Sequence, residues 1–212
     1  GDADPSPLTT GSGTNFVAAD NVTATYSRAP GENAAIYHIT AALAPAAVLA
    51  NYDITNDGAD FTIKKRDATW TTNPNSKTYG DPDPTPLTTG SGSNFVAGDN
   101  VTATYTRAPG ETVTASPYAI TANLSSTVAG ALNNYNITNN GAAFTINKRA
   151  ATWTTNPASK TYGDADPSPL TGGSGSNFVA ADGISATYSR AVGENAGTYH
   201  ITATLTPAAV LT

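Results

Sequence analysis

The sequence predicts an all-β protein, an elongated tandem array of small β-sandwich-like domains with Ig-like or β-grasp-like topology. Three observations lead there. One unit is written three times: Gly1-Asp2-Ala3-Asp4-Pro5-Ser6-Pro7-Leu8 returns as Gly80-Asp81-Pro82-Asp83-Pro84-Thr85-Pro86-Leu87 and as Gly163-Asp164-Ala165-Asp166-Pro167-Ser168-Pro169-Leu170. A period of about 80 residues is the size of a small independent domain rather than of a solenoid turn. Within each unit, short segments alternate large apolar with small or polar residues, the period-two mark of half-buried strands. Only 12% of the 212 residues are charged, against 19 Gly and 14 Pro, which argues against an α-rich enzyme or a helical bundle.

In the middle unit the segments 69–72, 101–106, 118–124, 135–138 and 143–146 read as strands, being short and rich in Thr, Tyr, Ile and Phe. Asp83-Pro84, Gly90-Ser91-Gly92, Pro109-Gly110 and Asn140-Gly141 read as the turns between them, because Pro presets φ and Gly or Asn supplies positive φ. Residues 41–50 have helix-friendly composition, but the middle unit carries Ser125-Ser126-Thr127-Val128-Ala129-Gly130-Ala131-Leu132 there. The repeat therefore demands no more than a short turn at that point. Trp70 and Trp153 hold the same phase in their units and are expected to centre the core. Burying about 150 to 250 Å² of indole at ~25 cal/mol per Å² contributes on the order of 4 to 6 kcal/mol. Phe95, Tyr105, Tyr118, Tyr135, Ile137, Phe144 and Ile146 are the expected companions.

The phase of the repeats gives the domain organisation. Lys65-Arg66-Asp67-Ala68-Thr69-Trp70 matches Lys148-Arg149-Ala150-Ala151-Thr152-Trp153, and nothing comparable precedes Gly1. Pro207-Ala208-Ala209-Val210-Leu211 matches Pro45-Ala46-Ala47-Val48-Leu49, after which the first unit goes on to Asn51-Tyr52-Asp53-Ile54-Thr55. The units are residues 1–63, without an opening strand, 64–146, complete, and 147–212, without closing strands. The expectation is a window from a longer repetitive protein.

Charge and composition narrow the function. Ten Lys and Arg against sixteen Asp and Glu give a net charge of −6, so no basic field exists to collect nucleic-acid phosphates. No apolar run approaches the ~18 to 20 residues that cross a bilayer. The absence of Cys excludes disulfides, thiolate metal sites and a cysteine nucleophile.

Candidate chemical groups are few. His38 and His200 share a phase that the middle unit fills with Ala119, so they read as ordinary strand residues. Ser12, Ser91 and Ser174 lie in Gly-Ser-Gly segments that complete neither a phosphate-binding loop nor a nucleophile elbow, and these read as flexible loops. The recurring Asp81 and Asp83, with Asp164 and Asp166 and the earlier Asp2 and Asp4, are calcium candidates: two carboxylates plus backbone carbonyls supply part of a shell of about six to eight oxygens. A Pro-terminated turn whose Asp side chains cap backbone N–H groups is the competing reading. No other cofactor is expected. Arg107 with Glu111, Arg28 with Glu32 and Arg190 with Glu194 flank a turn and are expected to face each other at an exposed hairpin. Lys65 and Lys148 at the unit starts leave open a Lys–Asn isopeptide crosslink. Four Asn-x-Ser/Thr matches, at Asn21, Asn100, Asn123 and Asn136, fall in Asn/Thr-rich segments where chance produces them.

Lys77-Thr78-Tyr79-Gly80-Asp81-Pro82-Asp83-Pro84, then Arg107-Ala108-Pro109-Gly110-Glu111, Tyr118-Ala119-Ile120-Thr121, Asn134-Tyr135-Asn136-Ile137-Thr138 and Phe144-Thr145-Ile146 together resemble the MBG repeat domain, YGX type, of bacterial surface and secreted adhesin-like proteins. The resemblance covers nearly the whole chain and departs at residues 112–117, where the middle unit carries extra residues. It implies an extracellular, non-enzymatic stalk or filament-forming segment, with adjacent repeats and other copies as partners. The alternative is an adhesive module that recognises a glycan or protein receptor, for which Tyr26, Tyr105 and Tyr188 are candidate stacking platforms. Paired carboxylates acting as a hydrolase find no cleft signal in the sequence.

Overall fold

A computed structural model describes residues 2–211 as an all-β chain of several small sheets. The strands run β1 (Thr23–Arg28), β2 (Ile36–Ala44), β3 (Ala59–Thr62), β4 (Arg66–Thr72), β5 (Asn75–Thr78), β6 (Gly90–Ser93), β7 (Val101–Arg107), β8 (Tyr118–Ser126), β9 (Tyr135–Asn140) and β10 (Ala142–Asn147). They continue with β11 (Thr152–Thr155), β12 (Gly173–Ser176), β13 (Ser185–Arg190) and β14 (Ile201–Thr206). Helix is confined to single turns, of which α1 (Ala46–Leu49) occupies the helix-friendly run of the first repeat. Ala131–Asn134 and Ala208–Val210 make the corresponding turns in the other two repeats. Among the described residues no helix is long and apolar enough to cross a membrane.

The chain forms two compact units, and the residues of the middle repeat are shared between them. The first comprises the described residues up to Pro74 together with Pro86–Arg107 and Ala119–Ala142. In it β1, β2 and β3 form an antiparallel meander, with Tyr26 opposite Ala41 and Tyr37 opposite Phe61. β4 is a central strand, antiparallel to β6, where Trp70 faces Gly92, and parallel to β9, where Trp70 faces Asn139. β7 pairs antiparallel with β8, placing Tyr105 opposite Ala122.

The second unit comprises Asn75–Thr85, Ala108–Tyr118 and the residues from Ala143 on. Here β5 runs parallel to β10, with Lys77 opposite Ile146. β11 pairs antiparallel with β12, and β13 with β14, each pair forming a two-stranded sheet of its own.

Alternation is legible in burial. Along β8 the pattern begins buried, exposed, buried, exposed, buried, and Tyr118, Ile120 and Ala122 are the buried members. Among the described residues the buried apolar side chains belong to the middle repeat, Ile39 apart. Trp70, Tyr135, Ile120, Phe144 and Ile146 are all buried. Phe95, Tyr105 and Ile137 are half-buried, and so is Trp153, although it has the phase of Trp70.

The Gly-Ser-Gly segments at Ser91 and Ser174 are not flexible loops, and Gly90-Ser91-Gly92 is not a turn, whereas the segment at Ser12 lies in no strand. The first two form β6 and β12, the neighbours of the tryptophan strands. The glycines are there because the indole lies on them. A Cβ on Gly90 would fall 2.6 Å from the Thr71 carbonyl oxygen and 2.9 Å from Trp70 Nε1. On Gly92 it would fall 2.7 Å from the Phe95 ring and 3.1 Å from the Trp70 ring. Glycine inside a strand marks such a close approach of backbone to side chain.

Candidate functional site

Polar side chains recur in three arrangements, each built from residues that the repeat brings together. The first sits at the repeat boundaries and uses the leading Asp of Gly-Asp-x-Asp-Pro. Arg66, the first residue of β4, places Nη2 2.8 Å from Asp2 Oδ1 and Nη1 3.4 Å from Asn94 Oδ1. Arg149 repeats this with Asp81 and with Asn177, the latter at 3.1 Å, and its Nε donates to the Tyr79 carbonyl at 2.7 Å. Each asparagine also donates Nδ2 to a backbone carbonyl, Asn94 to Asp67 and Asn177 to Ala150, both at 2.5 Å. Asn94 and Asn177 have φ of 66° and 64°, the left-handed region that asparagine tolerates best after glycine.

The second arrangement uses the trailing Asp. Asp4 receives Arg28 through Nε at 2.7 Å and Nη2 at 3.0 Å, a bidentate pair, while Nη2 also meets Glu32 at 2.5 Å. The guanidinium lies 5.2 Å from the ring centres of both Tyr37 and Phe61. Its side chain is only 8% exposed, so the Arg–Glu pair expected at an exposed hairpin is a half-sheltered node that includes an aspartate. In the third repeat Asp166 meets Arg190 at 2.8 Å and Lys160 at 2.9 Å, and Glu194 meets the same two cations at 2.5 and 2.6 Å. In the middle repeat the buried Lys77 lies 2.7 Å from Asp83 and is paired with Glu111.

The turn inside this node needs its glycine. Gly31, Gly110 and Gly193 have φ of 141°, 140° and 150°, and a Cβ on any of them would enter the ring of Tyr37, Tyr118 or Tyr199. Arg28 and Arg190 each donate Nη1 to the carbonyl of their glycine at 2.5 Å.

These contacts shift titration in consistent directions. Hydrogen bonds from Arg190 and then Lys160 pull Asp166 down to about 2. Lys160, then Arg190, holds Glu194 below the usual carboxylate range. Burial opposes the charged Lys77, but the hydrogen bonds to Asp83 and Glu111 outweigh it and hold its pKa above the ordinary lysine value.

The third arrangement joins tyrosine to aspartate. The Tyr52 hydroxyl donates to Asp20 and accepts the Val17 N–H at 2.9 Å. Tyr135 does the same with Asp99 and with the Val96 N–H, also at 2.9 Å. Phe16 packs edge-on to Tyr52 at 4.9 Å, and Phe95 lies 5.1 Å from Tyr135. In the third repeat Asp182 Oδ1 accepts from Tyr79 at 2.8 Å. Burial, and then the hydrogen bond to Asp99, pushes the Tyr135 pKa up. Tyr52 and Tyr79 are raised chiefly by their bonds to Asp20 and Asp182.

The calcium candidates therefore divide by partner. Asp81 faces Arg149, Asp83 faces Lys77, and Asp166 faces Lys160 and Arg190. Asp164 has no ion pair among the described residues. Nor, among them, do three or more His, Asp or Glu side chains gather into a metal-holding group. Asp81, Asp83 and Asp166 thus partner cationic side chains. His38 and His200 are exposed, His38 opposite Asp60 in the β2–β3 pair. Lys65 and Lys148 are exposed as well. Tyr26, Tyr105 and Tyr188 turn their hydroxyls onto Gly11, Gly90 and Gly173, where a Cβ would fall 2.5, 2.6 and 2.5 Å away.

The tyrosine–aspartate link is the feature that sequence reading passed over. Its signal is Asn-Phe-Val-Ala with an Asp two residues on, seen at Asp20, Asp99 and Asp182, together with an Asn-Tyr later in the first two repeats.

A family model described as MBG domain (YGX type) matches residues 1–62, 68–145 and 151–209. No curated protein and no solved structure gives a match.

Proposed function

Because the chain belongs to the MBG domain (YGX type) family, we propose that it is a structural stalk or filament-forming segment of a large extracellular bacterial surface protein, with no catalytic role. The observation that carries this reading is the repeated boundary. Arg66 with Asp2 and Asn94, and Arg149 with Asp81 and Asn177, are the same three-residue arrangement used twice. Arg66 is itself the first residue of β4, so little free chain is left between one repeat and the next. Parts reused at successive boundaries suit a chain whose task is to join repeats and carry load.

Two further observations favour this over a receptor-binding module. Tyr26, Tyr105 and Tyr188, the equivalent aromatic positions, are half-buried with their hydroxyls over glycines. The strongest polar groups are spent on one another. Single-molecule stretching of the chain tests the proposal. Discrete unfolding events that recur on each pull are expected; featureless extension, or binding of one repeat to an immobilised glycan, would overturn it.

A further inference from the structure

The chain passes from β9 to β10 through a single residue, Gly141, and Asn140 is the last residue of β9. Asn140 stands opposite Thr71, at the final rung of the parallel β4–β9 pair. Of the chain's asparagines it alone precedes a glycine.

Three features of this corner bear on its chemistry. Asn140 and Gly141 are both exposed. The Asn140 side chain has no hydrogen-bond partner among the described residues, whereas its neighbour Asn139 donates Nδ2 to the Ala122 carbonyl at 2.9 Å, as the equivalent Asn56 does to the Ala41 carbonyl at 2.9 Å. The glycine, finally, is imposed by packing. A Cβ on Gly141 would fall 2.6 Å from the Ile120 carbonyl oxygen, and one on the equivalent Gly58 2.3 Å from the Ile39 carbonyl oxygen. The amide nitrogen after Asn140 is therefore never screened by a side chain of its own residue. The first repeat also shows what the corner tolerates, because Asp57 occupies the place of Asn140 and is exposed there.

We infer that Asn140 is a site of spontaneous deamidation, at which the middle repeat acquires a carboxylate or an isoaspartyl linkage with time. The Gly141 backbone nitrogen attacks Asn140 Cγ and gives up its proton, the Cγ–Nδ2 bond breaks, and the side-chain nitrogen leaves as ammonia. The five-membered imide so formed takes up one water. Opening at Cγ gives aspartate. Opening at the main-chain carbonyl gives isoaspartate, in which the backbone runs through the side chain. Nothing is oxidised or reduced, and water is the sole co-reactant. Ring closure needs Asn140 to leave the extended conformation, and a strand end is where such opening costs least.

The two products differ in effect. Aspartate reproduces the first repeat's Asp57. Isoaspartate adds one carbon to the main chain between β9 and β10, which breaks the rung to Thr71 and shifts Gly141 from the Ile120 carbonyl. This does not depend on the stalk reading.

The test incubates the full chain and a synthetic peptide of residues 136–144 side by side at mildly alkaline pH. Peptide mapping by mass spectrometry, with fragmentation that separates isoaspartate from aspartate, follows each asparagine. Both products are expected at Asn140, at a rate within about tenfold of the peptide's, and Asn139 in the chain should react at least tenfold more slowly. The aged chain should melt at a lower temperature, while the Asn140→Asp chain melts like the fresh parent. The Asn140→Gln chain should keep its melting temperature on ageing. An Asn140 that stays intact in the chain while the peptide converts overturns the inference. So does faster reaction at another asparagine of the folded chain, or an equal fall in melting temperature in Asn140→Gln.

Discussion

Tyr135 and Asp99 lie 36 positions apart and are joined hydroxyl to carboxylate, with the Val96 N–H donating to the same hydroxyl. One phenol thus ties β9 to the turn that precedes β7. Tyr135→Phe leaves a carboxylate and an amide without their partner, and a loss of about 1 to 3 kcal/mol is expected in denaturant unfolding. A loss under about 0.5 kcal/mol would mean that water replaces the hydroxyl.

The same link sets an alkaline limit. The pKa values of Tyr52, Tyr79 and Tyr135 are raised in the folded chain above the ordinary value of 10.0. Their contribution is complete below pH 10 and is lost as pH rises through the folded values, because the unfolded chain ionises first. The melting temperature should fall above about pH 10. In Tyr135→Phe the fall should be smaller, and a flat profile to pH 12 in the parent chain would contradict the link.

At the acid end the sign reverses. Asp166 is held at about 2 against an ordinary 3.8, so its contribution is present above pH 3.8 and disappears as pH falls through 2. Arg190→Ala should return the Asp166 titration towards the ordinary value, read by its side-chain carbon shift in NMR. An unchanged titration would leave Lys160 as the partner that matters.

Two tryptophans of one phase should differ in weight. Trp70→Ala is expected to cost about 3 to 5 kcal/mol, because the indole is buried and its strand is flanked by β6 and β9. Trp153→Ala should cost less, as that indole is only half-buried. Equal losses would show that the parallel neighbour contributes nothing to the tryptophan.

Glycine beneath the indole gives a sharper test. Gly90→Ala pushes a methyl against the Thr71 carbonyl and should cost about 1 to 3 kcal/mol. Gly98→Ala, where a Cβ meets nothing within 4 Å and where the other repeats already carry Ala19 and Ala181, should stay within about 0.5 kcal/mol. If the two variants unfold alike, close packing is not why Gly90 is glycine.

Strands were legible where alternation was strong. β7, β8, β9 and β10 follow from Val101, Tyr105, Tyr118, Ile120, Ile137 and Phe144 falling every second or fourth residue. β5 and β6 were not legible, for two different reasons. Asn75-Ser76-Lys77-Thr78 carries a buried lysine where a strand is expected to carry an aliphatic residue. Gly90-Ser91-Gly92 has the composition of a turn, and only the indole lying on it in three dimensions makes it a strand. The carboxylate pairs were visible as a recurring motif, but their partners were not. Asp81 and Arg149 are 68 positions apart, and Arg28 and Asp4 are 24. Nothing local in the chain announces which cation a turn will meet once strands have closed.

Each seam between repeats is asymmetric: the earlier repeat supplies the acid at its head and the later repeat supplies the base at its start, as in Asp81 and Arg149. A polymer with such a seam has polarity. Inserting or excising one whole period in frame regenerates the same seam on both sides of the edit, so the gene can lengthen or shorten by unequal exchange while every surviving joint keeps its chemistry.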